Sequence, residues 1–488
     1  MKAAGNCLSV VLLGLLTGCT VGPAYHPPAV KAAAQWSSPL DGGETSGSAA
    51  VATWWKSFHD PELDSLIEQS VHSNLDLKIA TARVREARAQ YGVTAAGFWP
   101  SVGASGSYER QLQSQNQPII GAIPLPPTVS FENNLYQAGF DASWEIDVFG
   151  GTRRATEAAR AEVAAAEFGR RDTLVTLLGE VARNYVEARG YQAQLTIAKD
   201  NIKAQEDALT LTQDRFKHGL TGDIDVQQAA TLLATTRAGV PTLETALAAS
   251  IHGLGILLGQ PPGALLGELS LVAPIPAAPP EVPVGLPSEL LLRRPDVQES
   301  ERQLAAATAQ IGVATADLFP KFSLTGMAGY ESVSASDWFA GASKFWSLGP
   351  TVQWIIFDAG RIRANIKVQT ARQEQALANY ENTALGAFED VENALTAYAK
   401  EQIRRQQLAA AVRSSEESLR LANQLYANGL SNFLNVLDAE RSLYQAQDAL
   451  VQSDRTISAN LIALYKALGG GWETPDRSPQ LAQAKTVN

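Results

Sequence analysis

The sequence predicts an α+β membrane protein built by internal duplication. Each chain lends four long β-strands to a twelve-stranded barrel shared by three copies, and the barrel continues as a long α-helical coiled coil. Three observations carry this: two halves that repeat the same residues at constant offsets, alternating stretches of up to about thirteen residues, and two proline-free helical tracts long enough for about 100 Å each.

The N-terminus, "MKAAGNCLSVVLLGLLTGC", has one Lys, an apolar run from Leu8 to Leu16 and small residues after it. That run is too short to span a bilayer and reads as a secretory signal over residues 1–18. Leu16-Thr17-Gly18-Cys19 looks like a bacterial lipobox, so Cys19 is expected to become the first residue and to carry a diacylglycerol and an N-acyl chain. Each buried methylene of such a chain contributes about 0.8 kcal/mol to anchoring. Cys7, the other cysteine, leaves with the signal, so no disulfide is expected. Residues 19–73 then form an anchor and equatorial segment.

The duplication is read from "NLDLKIATARVREARAQYGVTAAGFWPSV" (Asn74 to Val102) and "RPDVQESERQLAAATAQIGVATADLFPKF" (Arg294 to Phe322). Asp76 matches Asp296, Gly92 matches Gly312 and Pro100 matches Pro320, each 220 positions apart. Trp144 and Trp354, and likewise Gly219 and Gly429, are 210 apart. The first repeat (74–260) therefore carries ten extra residues relative to the second (294–470), expected in the polar, proline-rich "LQSQNQPIIGAIPLPP".

Each repeat opens with a helix of about 25 residues and a β-hairpin, at about 100–149 and about 321–357. From Tyr136 to Val148, Tyr136, Ala138, Phe140, Ala142, Trp144, Ile146 and Val148 alternate with Gln137, Gly139, Asp141, Ser143, Glu145 and Asp147. The second repeat alternates from Phe322 to Tyr330 and from Trp346 to Ile356, with Pro350 tolerable at an edge or bulge. Such strands are long enough to cross a membrane at a tilt of about 45°. Four cannot close a barrel, and open edges cannot face lipid, so copies must pool strands. Two copies would fill their barrel with side chains and three would leave a lumen. The polar face through Asp141, Ser143, Glu145 and Asp147 suits water and favours three. Tyr136, Trp144, Trp346 and Trp354 resemble interfacial girdles.

The long helices are expected at about 152–218 and about 361–427. In the first, Leu195, Ile202, Leu209 and Phe216 recur every seven residues, interleaved with Tyr191, Ala198, Gln205 and Thr212, as coiled-coil positions do. A glycine turn (Gly219, Gly429) leads to a helix of about 37 residues. The proline-rich stretch at 261–293 is expected to be a connector, and 471–488 a polar tail.

Composition narrows the function. A net charge of −11 gives no electrostatic reason to meet nucleic acid. The five histidines lack metal-ligand spacing, and no Ser/His/Asp signature, phosphate loop, HExxH or CxxC occurs, so the chain is not expected to be an enzyme or to hold a metal. A coiled-coil spacer between membranes remains a competing reading, one that predicts no ion conductance.

The segments "WWKSFHDPELDSLIEQSVHSNLDLKIA", "RRPDVQESERQLAAATAQIGVATADLFP" and "GLSNFLNVLDAERSLY" resemble the TolC-like outer membrane factors, specifically the lipoprotein NodT branch of multidrug exporters, over nearly the whole mature chain. The resemblance implies a homotrimer in the bacterial outer membrane whose periplasmic α-barrel is closed at its far end. It also implies a periplasmic adaptor (membrane fusion) protein and an inner-membrane pump of the resistance-nodulation-division class. The expected activity is passive export of drugs or other small molecules; a secreted-protein cargo in a type I system is the alternative. By the same resemblance Leu434 and Asp438 narrow the tip and Arg441 joins the polar network that holds it. The family's namesake carries an arginine and an aspartate where Ser431 and Asn435 stand here. The first repeat offers Ile224, Gln228 and Thr231 at the matching positions, with Asp225 as a nearby carboxylate.

Overall fold

The computed structural model describes residues 20–29, 33–38, 44–45, 52–112, 114, 131–279 and 282–473. The expected signal, the lipid-bearing Cys19, nearly all of the proline-rich insertion and residues 474–488 lie outside the described residues.

The chain forms two compact units: residues 1–28, 85–164 and 301–378, and residues 29–84, 165–300 and 379–488. The elements, in order, are β1 (Glu44–Thr45), α1 (Pro61–Ser73), α2 (Leu75–Ala95), β2 (Ser101–Leu112), β3 (Glu132–Ile146), α3 (Gly151–Lys217), α4 (Asp223–Leu257), β4 (Val282–Pro283), α5 (Pro287–Arg293), α6 (Pro295–Ala316), β5 (Lys321–Ser332), β6 (Lys344–Gln353), α7 (Arg361–Ala427) and α8 (Phe433–Ala467), with short 3₁₀ turns between some of them. Both α3 and α7 have 67 residues, and both α4 and α8 have 35.

In the first unit the sheet runs β2-β3-β5-β6, with every neighbouring pair antiparallel. The register places Val102 opposite Ala142, Phe140 opposite Ala328 and Ala328 opposite Trp346, so the apolar alternates share one face. That face is bare: Phe140 is 66% exposed and Trp346 76%. Asp141, Ser143 and Glu145 lie on the other face, opposite Met327, Thr325 and Ser323.

Two strand expectations need correction. Asp147 and Val148 lie beyond β3, and Asp147 does not belong to the strand's polar face. Its carboxylate accepts from the backbone N–H groups of Thr152 (3.1 Å) and Arg153 (2.8 Å), satisfying donors that the first turn of α3 leaves without intrahelical partners. Asp358 does the same for α7, accepting from Gly360 and Ile362. Trp354 and Ile356 also fall outside their strand, β6. The indole N–H of Trp354 donates to the Leu318 carbonyl (3.0 Å), as that of Trp144 donates to Phe98 (2.9 Å). Both tryptophans thus tie the end of one strand to the turn that opens another.

An N-terminal strap completes this unit. Val21 N–H donates to the Phe149 carbonyl, and Arg154 donates to the carbonyls of Val21 and Gly22. Gly22 crosses Gly312 so tightly that a Cβ on it would stand 2.4 Å from the Gly312 Cα, which requires glycine there.

The second unit is helical around Trp54, Leu63, Ile67, Tyr185, Leu254 and Leu461, all 2% exposed or less. Trp54 stacks on Tyr465 at 5.4 Å between centroids. Asp60 caps α1 and accepts from the Tyr185 hydroxyl at 2.9 Å. The segment expected to be a connector is packed along its length: Leu265, Leu269, Val282 and Val284 are buried and β4 pairs in parallel with β1. Its carbonyls are held from the helices, Leu269 by Gln192, Leu271 by Arg189 and Pro276 by Ser458. The proline content excludes a long helix while leaving carbonyls free to accept these bonds.

In α3 the two heptad rows are buried unequally. Leu195, Ala198, Gln205 and Thr212 are buried, whereas Tyr191, Ile202 and Leu209 are half-buried and Phe216 is exposed, so toward the tip the row of Ala198, Gln205 and Thr212 faces the tighter contact.

Asp147→Ala is expected to lower thermal stability by about 1–2 kcal/mol, the cost of losing a helix cap. Melting followed by helical circular dichroism would check it; an unchanged melting temperature would mean the cap is dispensable.

Candidate functional site at the helical tips

The helix ends at Gly219 and Gly429 share one hydrogen-bond pattern. Gly219 N–H donates to Phe216 and Leu220 N–H to Arg215; Gly429 N–H donates to Tyr426 and Leu430 N–H to Leu425, all at 2.9–3.0 Å. Both glycines are left-handed, with φ of 69° and 73°. This is the Schellman arrangement, which satisfies terminal carbonyls and turns the chain out of the helix. Leu220 and Leu430, the residues that follow, are exposed.

Beyond the turns the two tips differ. Asn432 caps α8, its side chain accepting from Asn435 N–H, and the Asn435 amide donates to Ser431 Oγ at 2.7 Å. Asn435 is therefore committed to building its own turn. In α4 the N-cap is Gly222, with no side-chain cap, and Thr221 Oγ donates to Asp225 Oδ2. Asp225 accordingly holds its turn together.

The first turns of α8 carry two stripes. Phe433, Val436, Leu437 and Glu440 are buried. Leu434, Asp438 and Arg441, spaced four and three residues apart, form the other stripe, with Leu434 46% exposed. Arg441 Nη1 lies 3.6 Å from Asp438 Oδ1, and both side chains are more than half exposed. Such a pair contributes under about 1 kcal/mol within one chain. The structure thus brings Leu434, Asp438 and Arg441 onto one accessible stripe and sets Asn435 and Asp225 into turn hydrogen bonds.

Sequence reasoning missed the packing beneath. Tyr426, Phe433, Val436, Leu437 and Ala229 form a buried cluster flanked by Leu209, Leu232, Leu419 and Ala422. Tyr426 and Phe433 meet at 5.2 Å, and the Arg215 guanidinium sits 4.5 Å from the Tyr426 ring centre. Phe216 stands where Tyr426 does in the other repeat, yet it is 45% exposed. The signal was present as helical spacing: Phe433, Val436, Leu437, Glu440 and Leu443 recur on one face of α8.

A Cβ at Gly219 or Gly429 would meet nothing within 4 Å, so replacement there strains only the backbone. Gly429→Ala is expected to cost about 1 kcal/mol from the left-handed φ, and Gly429→Asn less. Thermal unfolding of the two variants checks this; equal stability of Ala and Gly would contradict it.

Comparison with known proteins completes the picture. The outer membrane efflux protein family matches residues 66–260 and again residues 286–470. The toluene efflux pump outer membrane protein TtgC of Pseudomonas putida is 34% identical over 480 residues, covering 97% of each chain. The cation efflux system protein CusC of Escherichia coli is 32% identical over 468 residues, 94% of this chain and 97% of that one. The solved structure of the outer-membrane channel OprN superimposes with a TM-score of 0.86 at 36% identity, over 93% of this chain and 100% of that one. On these grounds the chain belongs to the outer membrane efflux protein family, a family of transport proteins and not of enzymes.

Proposed function

We propose that three copies of the chain, each built from two repeats by internal duplication, join their sheets into a twelve-stranded barrel in the outer membrane and extend their helices into the periplasm as an exit duct for small molecules. The observation that carries this reading is the sheet. Its edge strands β2 and β6 have no second neighbour among the described residues, and its apolar face is uncovered. In hydrocarbon each unpaired backbone group costs several kcal/mol, so a four-stranded sheet is viable there only when copies close it. Helix α4 adds support, since its most apolar stretch is largely uncovered within one chain. Packing between copies would cover it.

In this assembly Cys19 carries the acyl chains that tether each subunit to the outer membrane. Asp141, Ser143 and Glu145 line water inside the barrel. The tips meet a periplasmic adaptor, which links the duct to an inner-membrane pump of the resistance-nodulation-division class. Relatives named for toluene and cation efflux support a small-molecule cargo.

The tip stripe is the gate. Three copies of Leu434 narrow the passage by bulk, and three Asp438 carboxylates brought close would repel one another unless each keeps its cation. Arg441, one helical turn on, supplies that charge. Removing either member unbalances the ring and loosens the closure.

Asp438→Ala and Arg441→Ala are each expected to raise passive conductance in planar bilayers severalfold over the parent protein. Unchanged conductance in both would remove the gate assignment, and no conductance in any variant would favour a spacer over a duct.

A further inference from the structure

We propose that Glu440 is a protonation-controlled latch in the helical tip: neutral, it stays within the closed seam of α3, α4, α7 and α8, and ionised, it loosens that seam by drawing in water. The inference rests on the tip being the moving part of the duct, and it assigns that part a chemical trigger distinct from the Asp438–Arg441 pair.

The geometry comes first. Glu440 follows Val436 and Leu437 by one helical turn on the buried face, just past the apolar cluster to which all four helices contribute. It is 7% exposed, and its Oε2 has no hydrogen-bond partner. Other polar atoms at this end of the seam are in the same condition: both terminal atoms of Gln205, 2% exposed, and the hydroxyl of Tyr426. Each such atom forgoes water without compensation, a cost of about 1–3 kcal/mol. This part of the seam therefore holds more weakly than the same length of apolar packing.

The charges around this end of the seam make contacts of their own. From α3, Arg215 lies over the Tyr426 ring of α7, its buried Nε without a hydrogen-bond partner, and Glu206 pairs with Arg237 of α4. On α7, Arg420 pairs with Glu417, and on α8, Arg441 pairs with Asp438. Burial alone raises the Glu440 carboxyl from 4.5 to about 7. The closed seam thus holds a proton that a solvated carboxyl releases near 4.5. The stabilisation is complete below that value and is lost as pH rises through about 7. Ala230 stands at the matching position of the first repeat, so the latch belongs to one tip only.

Hydrogen–deuterium exchange of residues 433–445 in the full-length protein, corrected for intrinsic rates, tests this between about pH 5.5 and about pH 8.5. Protection of the parent is expected to fall by about tenfold or more across neutral pH. Glu440→Gln, which keeps shape without charge, should stay protected throughout, and Asp438→Asn should retain the fall. A flat parent profile, or a Glu440→Gln profile that still falls, overturns the latch. Bilayer conductance over the same range reports on the duct separately: a protein that does not conduct contradicts the duct while the exchange profile still decides the latch.

Discussion

Backbone hydrogen bonding in a medium without water is the constraint on which the proposed assembly depends. A chain with four long strands carries two rows of unpaired N–H and C=O groups, at β2 and β6, and nothing within the described residues covers them. In water such edges invite aggregation; in lipid they are untenable. The bare apolar face and the polar opposite face fit the same demand, since in the proposed barrel strand alternation would assign one set of side chains to hydrocarbon and the other to a lumen. Capping of the long helices by Asp147 and Asp358, immediately beyond the strands, lets the chain change from a ladder shared between strands to one internal to a helix without leaving the first turn unsatisfied.

The tips show how equivalent backbone geometry supports different chemistry. Gly219 and Gly429 end their helices with the same hydrogen bonds and nearly the same φ. Around that point the second tip has an asparagine cap, a buried aromatic pair that spans the turn and an ion pair on its accessible stripe. The first has a glycine cap and the exposed Ile224. Three copies would alternate the two kinds of tip around one ring, leaving the buried carboxylate and the accessible ion pair to the second kind alone.

Much of the fold was legible because it is written in periods. Alternation marked the strands, and the absence of proline marked the long helices. What escaped was set by tertiary contact. Asp147 continues the alternation of β3 yet serves as a cap, a distinction made by the glycine pair after it. The proline-rich stretch at 261–293 read only as a connector because its packing comes from scattered leucines and valines and from carbonyls bound by distant side chains. At the site, Leu434, Asp438 and Arg441 were reached by resemblance and do share a stripe. Asn435 and Asp225 take part in turn hydrogen bonds with Ser431 and Thr221, contacts that residue type alone does not announce. Glu440 was overlooked because a glutamate beside Asp438 and Arg441 reads as one more surface charge, although its spacing from Phe433 and Val436 placed it on the apolar face.

The central claim, closure of the sheet by copies of the same chain, is tested most directly by covalent capture of the edges. Cysteine placed at Ser105 on β2, combined in turn with cysteine at successive positions along β6, should give disulfide-linked species that end at the trimer when the protein is oxidised in the membrane. At least one register should link efficiently. Failure to link in any register, or a ladder that stops at the dimer, would contradict the account.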